Sequence, residues 1–255
     1  VIPALEAFTV QFGSRKGQLG FWVLSTDTGI DVSVEGMEHQ AEADLGLFAE
    51  WAGSNGISRL SVDNETICQH QAPQLTFGKV KVAPPPRAFT QATPQGEQAL
   101  QEAVGRALAG ADKVVDLFSG AGTLGLPLAE VATLHCMEND LGLLEALAHG
   151  VRHTQGIKKV TTSARDLYRN PIDHTDLIKF NAAIIDPPRA GAEQQVRQLA
   201  QSNLRDIAMV SCNPVTFARD ANILCAGGYG LKWVEAVDQF RWSPHIEIVA
   251  HFSKV

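Results

Sequence analysis

Six places in the sequence carry side chains able to do chemistry. The run V-V-D-L-F-S-G-A-G-T (Val114–Thr123) reads as a strand, a tight glycine turn and a helix start. Gly120 and Gly122 let the backbone approach a ligand where a Cβ would collide. Glu138 ends the next predicted strand, about 20 residues on, where a carboxylate can accept from two ribose hydroxyls. Asp166 follows a predicted strand near Val160–Ser163 and is placed to accept from an adenine amino group. Each carboxylate taken alone is equally a helix cap or a solvated loop end. Taken with the turn, they favour a nucleoside-bearing cofactor. The turn lacks the third glycine of G-x-G-x-x-G, and no lysine follows it as in a P-loop. S-adenosylmethionine therefore fits better than a dinucleotide or a nucleoside triphosphate.

The other three stretches bring reactive groups to predicted strand tips. I-I-D-P-P-R-A-G (Ile184–Gly191) sets Asp186 at the end of a central strand, on a loop stiffened by two prolines. V-S-C-N-P-V-T (Val210–Thr216) sets Cys212 at the tip of the next strand, between polar neighbours. A structural cysteine is normally buried mid-element. D-Q-F-R-W-S-P-H-I-E (Asp238–Glu247) brings an imidazole and a carboxylate to the mouth of the last strand.

The elements that must position these groups divide the chain into two textures. Residues 1–88 read as an α+β module. Its predicted strands are Phe8–Phe12, Leu19–Leu24, Ile30–Val34, Ile57–Val62 and Leu75–Val82, with one amphipathic helix over Ala43–Ala52. Pro84-Pro85-Pro86 marks a rigid joint after it. Residues 89–255 alternate helices with buried strands: a helix over Pro94–Leu108, the strand Lys113–Phe118, a helix from Leu124, the strand Thr133–Glu138 and a helix over Leu141–His153. Strands at Ala182–Asp186, Ile207–Ser211, Leu231–Val237 and Ile246–Phe252 follow, with helices from Gly191 and from Val215. Such alternation implies a mostly parallel sheet covered on both faces. The last two strands have no helix between them, which predicts an antiparallel pair at the sheet edge.

Composition sets outer limits. With 255 residues, 45% hydrophobic and 19% charged, the chain can bury a substantial core. No apolar run reaches the roughly 18 residues of a membrane-spanning helix. The N-terminal stretch lacks a signal-peptide layout, so a cytoplasmic, membrane-free protein is expected. The sequence opens at Val1 without an initiator methionine and reads as a piece of a longer protein. The four cysteines are scattered, with neither zinc nor iron–sulfur spacing, so no metal site is expected. A formal charge of −7 argues against a nucleic-acid partner, because phosphate contacts want lysine and arginine. Arg15-Lys16 and Lys79/Lys81 with Arg87 are the basic clusters that could touch phosphate, although solvated faces explain such clusters more often.

Together the motifs resemble the RNA uracil-5-methyltransferase family, which modifies transfer and ribosomal RNA. The family's D-P-P/A-R-x-G loop, S-C-N-x-x-T segment and terminal D-x-F-P-x-S/T-x-H-φ-E segment occur here in order. A-F-T-Q-A-T at Ala88–Thr93 is similar to its F-x-Q-x-N segment. Arg241 stands where the family usually has proline, and Thr93 where it usually has asparagine. The resemblance covers residues 89–255 and implies a Rossmann-like class I methyltransferase sheet, mostly parallel with an antiparallel last strand, beside the smaller N-terminal α+β module. It implies S-adenosylmethionine as cofactor, contacted by Gln91, Phe118, Thr123, Glu138, Asp166 and Asp186 along with the Gly120–Gly122 turn.

Uracil C5 is too weak a nucleophile to attack a sulfonium methyl unaided. A thiolate adding to C6 splits one hard step into two easier ones. By resemblance the attacker is Cys212, and Glu247 is the base that removes the C5 proton. His245 either orients Glu247, touches RNA or is structural. The implied partner is RNA, ribosomal before transfer RNA, met by a monomer. The family's N-terminal RNA-binding barrel and four-cysteine iron–sulfur cluster are not in this sequence, so a cluster is expected only from an absent N-terminal region. Two rivals remain. Cytosine-5 RNA enzymes typically pair two cysteines in separate motifs, and the S-C-N segment with the closing H-x-E favours uracil. A non-catalytic RNA-binding or chaperone protein on a vestigial fold predicts loss of Cys212 or Glu247, and both are present.

Overall fold

The computed structural model describes residues 1–14, 17–37, 42–240 and 242–255, which form two compact units. Arg15-Lys16 and Arg241 lie outside the described residues. One unit comprises residues 1–76 and 82–89, the other residues 77–81 and 90–255.

The first unit contains α1 (Ile2–Phe12), β1 (Gly20–Thr26), β2 (Gly29–Glu35), α2 (Glu42–Ser54), β3 (Ile57–Val62) and β4 (Glu65–Gln69). Its sheet runs β1-β2-β3-β4, with only β2 and β3 parallel, the geometry of a crossover through α2. Phe8–Phe12 is not a strand as expected but the end of α1. Phe8 and Phe12 lie four residues apart on one helix face, ring centroids 4.7 Å apart, and Phe8 is fully buried against Phe48 and Trp51. Asp31 and Arg59, register partners on β2 and β3, form a buried two-pronged ion pair at 2.6 and 2.9 Å.

The expected strand Leu75–Val82 is a hairpin of two three-residue strands, β5 (Leu75–Phe77) and β6 (Val80–Val82), turning at Gly78 with φ +59°. Lys79 is paired with Glu130 at 2.5 Å. Arg87 lies over the Trp22 ring, 3.8 Å from its centroid, and within 3.5 Å of Glu35.

The second unit continues with α3 (Pro94–Ala107), β7 (Lys113–Leu117), β8 (Thr133–Glu138), α4 (Leu141–Arg152), β9 (Val160–Ala164), β10 (Ala182–Ile185), α5 (Glu193–Gln201), β11 (Asp206–Ser211), α6 (Pro214–Ala226), β12 (Tyr229–Val237) and β13 (Glu247–Lys254). Seven strands form one sheet in the order β12-β13-β11-β10-β7-β8-β9. All neighbours are parallel except those of β13, which runs antiparallel between β11 and β12. The last strand is thus antiparallel as expected, while the edge belongs to β12.

β10 and β11 are buried at every position, as strands covered on both faces must be. Val115, Leu117, Ala183, Ile185, Ile207 and Met209 share a core with Val196 and Leu199 of α5 and Leu224 of α6. The helix expected from Leu124 is instead a turn followed by a single 3₁₀ segment, Leu126–Glu130. Pro127 near its start and the five-residue length account for that. No helix among the described residues is long and apolar enough to cross a membrane.

Candidate active site

From β7 the chain steps outward to β8 and β9, then returns to the other side of β7 as β10. That reversal opens a crevice at the carboxyl ends of β7 and β10, where ligands bind in open α/β sheets. The register runs Met137–Leu117–Ile185–Met209–Ala250 straight across the five central strands. One residue further along lie Glu138, Phe118 and Asp186. Two further along β11, Ser211 faces Ile248 of β13. Cys212 directly follows β11 and Glu247 opens β13, and the charge of Glu247 acts on the Cys212 thiol. Because β13 is antiparallel, its first residue meets the last turn of chain after β11. This is why two residues 35 apart in sequence share one site.

The glycine turn is held by Glu138. Its carboxylate accepts from Gly120 N at 3.0 Å, Asn139 N at 2.7 Å and Asp140 N at 3.0 Å. Phe118, Gly120 and Gly122 all have positive φ, at +61°, +54° and +91°. Phe118 is the strained one, since its Cβ disfavours that region. Its ring leans on Tyr168 with centroids 5.4 Å apart, and Tyr168 is an aromatic wall that sequence reasoning missed. Thr123 is tied to α3 through its carbonyl, which accepts from Gln101 Nε2 at 3.0 Å. Asp166 Oδ1 accepts from Tyr168 N and Arg169 N at 3.0 and 3.1 Å, so it caps the turn that carries Tyr168.

The D-P-P-R-A-G and S-C-N-P-V-T segments are buckled together. Asn213 caps α6 by accepting from Val215 N at 3.0 Å, while its Nδ2 donates to the Arg189 carbonyl at 3.1 Å. Thr216 Oγ1 donates to the same carbonyl at 3.3 Å. Gly191 has φ +71°, and a Cβ there would lie 2.5 Å from Arg219 and 2.7 Å from Asp220. Asp220, buried, accepts from Ala192 N at 3.0 Å. The asparagine, threonine and glycine of these motifs therefore hold the loops that carry Cys212 and Asp186.

The site is acidic. Burial first, and then Glu247, push the half-buried Asp186 carboxyl up to about 7. Burial pushes Glu247 up as well. Cys212 is held as a thiol by burial and then by the negative charge of Glu247 and Asp186, with Arg189 opposing. Beneath the glycine turn lies Asp116, 1% exposed, on the sheet face opposite Val115 and Leu117. Its carboxyl is pushed up to about 8 by burial, then by Asp186 and Glu138, against a hydrogen bond from the Gly125 backbone. Its Oδ2 has no partner among the described residues, and a Cβ on Gly125 would come within 2.3 Å of it. Sequence reasoning passed over Asp116 as a strand residue. Where these carboxyls ionise, a positively charged ligand would offset their mutual repulsion.

Gln91 reaches this end of the sheet through Gln239, two residues past Val237, whose register partner is Glu247. Gln239 Nε2 donates to Gln91 Oε1 at 2.8 Å. Thr93 caps α3 by accepting from Gly96 N at 3.0 Å, the task an asparagine there would perform. His245 is exposed, edge-on to Phe240 with ring centroids 6.1 Å apart. A separate cavity of about 460 Å³ lies against β8 and β9, lined by His135, Phe180 and several basic residues, and includes none of the groups above.

Residues 151–255 match the family model described as tRNA (Uracil-5-)-methyltransferase. A protein of Mesorhizobium japonicum, described as an uncharacterized RNA methyltransferase, is 45% identical over 91% of this chain and 56% of its own length. A 23S rRNA (uracil(1939)-C(5))-methyltransferase of Shewanella halifaxensis is 29% identical over 99% of this chain and 59% of its own. The chain thus spans a little over half the length of these relatives. The crystal structure of a Pyrococcus abyssi tRNA (uracil-54, C5)-methyltransferase in complex with S-adenosyl-L-homocysteine shares the fold, with a TM-score of 0.74 at 22% identity, covering 98% of this chain and 66% of that one.

Proposed function

Residues 151–255 match the tRNA (Uracil-5-)-methyltransferase family model, and from that match we propose that the chain belongs to this family and transfers a methyl group from S-adenosylmethionine to carbon 5 of a uridine in RNA. Residues 89–255 form the catalytic domain in this reading, and residues 1–88 a module beside it that contacts RNA. Ribosomal RNA is the favoured substrate, supported by a relative of that description aligned over 99% of the chain. The observation that carries the reading is the meeting of Cys212 and Glu247 beside Asp186, at the carboxyl end of a sheet whose glycine turn faces the same crevice.

When bound, S-adenosylmethionine supplies an electrophilic methyl on a positively charged sulfur, a charge suited to the acidic cluster of Glu138, Asp186 and Glu247. Glu138 would receive the ribose hydroxyls, Phe118 and Tyr168 would flank the base, and Gly120 and Gly122 would let the backbone close on the ligand. Gln91, Thr123, Asp166 and Asp186 complete the contacts. Cys212 gives its thiol proton to water as its sulfur bonds to uracil C6, the C5–C6 double-bond electrons shift toward the O4 carbonyl, and C5 becomes the nucleophile that would take the methyl. Glu247 then removes the C5 proton, the sulfur–C6 bond breaks and Cys212 is freed. The raised proton affinity of Glu247 suits a residue that must accept a proton in a half-dry site.

RNA carrying 5-fluorouridine at the target tests this directly, because fluorine cannot leave as a proton. The wild-type protein should form an adduct that survives denaturation, and Cys212→Ala should form none and make no 5-methyluridine. Normal methylation by Cys212→Ala and Cys212→Ser would overturn the assignment.

A further inference from the structure

Gln239 joins segments 148 residues apart and is almost completely buried. Its Oε1 accepts from Thr93 N at 3.4 Å and its Nε2 donates to Gln91 Oε1 at 2.8 Å. A Cβ at Gly96 would fall 2.4 Å from the Gln239 side chain, so the amide enters a slot that only glycine leaves open in the first turn of α3. An amide has one accepting and one donating end. A backbone N–H can only donate, so Thr93 fixes which end of Gln239 faces it. Thr93 is itself fixed, as the cap of α3. The donating end of Gln239 must then face Gln91, which turns its oxygen toward Gln239 and its NH₂ away from it. Gln91 is half-buried, and its own NH₂ has no partner among the described residues. Without this relay the Gln91 amide could turn over and present either end to a ligand.

We infer that Gln239 is a positioning residue that sets the polarity of Gln91, so that Gln91 turns its NH₂ donors, and not its oxygen, toward a carbonyl or carboxylate oxygen of a bound ligand. The inference rests on the reading above, in which Gln91 lines the site. Both the carboxylate of the cofactor and the carbonyls of uracil supply such an oxygen. The relay runs from α3 through Thr93 and Gln239 to Gln91, so a backbone amide that touches no ligand decides what the site recognises.

The test uses full-length protein, calorimetry with S-adenosylhomocysteine, and methylation kinetics on RNA from cells lacking the gene. Gln91→Ala should weaken one ligand parameter about tenfold, the scale of one lost hydrogen bond. An effect on the S-adenosylhomocysteine Kd assigns the acceptor to the cofactor. An effect on the KM for RNA, with that Kd unchanged, assigns it to the base. Gln239→Met should impair the same parameter, and should add nothing on the Gln91→Ala background. Gln91→Glu leaves Gln239 and its packing untouched, still accepts from it and has no donors left, so it should match Gln91→Ala even if Gln239→Met folds poorly. Full function in Gln91→Glu, or an equal loss from Gln239→Met on both backgrounds, overturns the relay. If the Kd pattern holds but wild-type protein makes no 5-methyluridine, the relay stands and the proposed reaction falls.

Discussion

Replacing Asp116 by asparagine should flatten the pH dependence of folding stability. In the folded protein Asp116 keeps its proton up to about pH 8, whereas in the unfolded chain it releases it near 3.8. Between those values the folded state holds one proton more than the unfolded state. Stability therefore falls as pH rises, by about 1.4 kcal/mol per unit, with the contribution complete below the lower value and gone above the upper one. From about pH 5.5 to about pH 7.5 the ceiling is roughly 2.7 kcal/mol. Asp186, whose charge acts on the same carboxyl, adjusts its own protonation as Asp116 titrates, so about 1–2 kcal/mol is expected. Asparagine keeps an oxygen for the Gly125 N–H and cannot ionise. Urea unfolding across this range should show wild-type stability dropping by that much more than Asp116→Asn. Parallel curves for the two proteins would refute a neutral Asp116 beneath the glycine turn.

Two further substitutions probe the site. Glu247→Gln keeps shape and hydrogen bonding but cannot take a proton. Turnover should fall by roughly 10²–10⁴, with a protein–RNA adduct accumulating on ordinary uridine and carrying label from the methyl-labelled cofactor; free product at near-normal rate rejects the role. Glu138→Ala removes the acceptor of Gly120 N, Asn139 N and Asp140 N together. It should weaken S-adenosylhomocysteine binding at least about tenfold and cost about 1–3 kcal/mol of stability, and unchanged affinity by calorimetry removes Glu138 from the cofactor site.

The sheet was legible because its strands are short apolar runs closed by polar tips. Ile184–Ile185 before Asp186 and Met209–Val210 before Ser211-Cys212 announce buried strands ending at a functional edge. Helix α3 was legible from Thr93-Pro94, a cap and a first-turn proline. What stayed hidden depends on contacts across the chain. Phe8–Phe12 looked like a strand because Phe, Val and Phe alternate, and only the burial of Phe8 against α2 shows the helix face. β4 is short and mostly polar, and its pairing with β3 defines it. Asp116 reads as a polar interruption of Val-Val-Asp-Leu, and its proton affinity comes from burial first and then from Asp186 and Glu138, all of which act on it only in the folded sheet. Gln239 and Gly96 carry no local signature at all, because their fit lies between two distant segments.

The position of β13 bears on how the protein is made. A ribosome delivers the strands in chain order, so β11 with Cys212 and β12 emerge before β13 exists. Yet β13 belongs between them. Until it arrives, β12 has no neighbour to pair with, and Cys212 stands without Glu247. The closing strand then completes the sheet and delivers Glu247 in the same event. On the proposed reaction, a message cut short before residue 247 should give an inactive chain rather than a weakened one, because sheet closure and the proton acceptor are lost together.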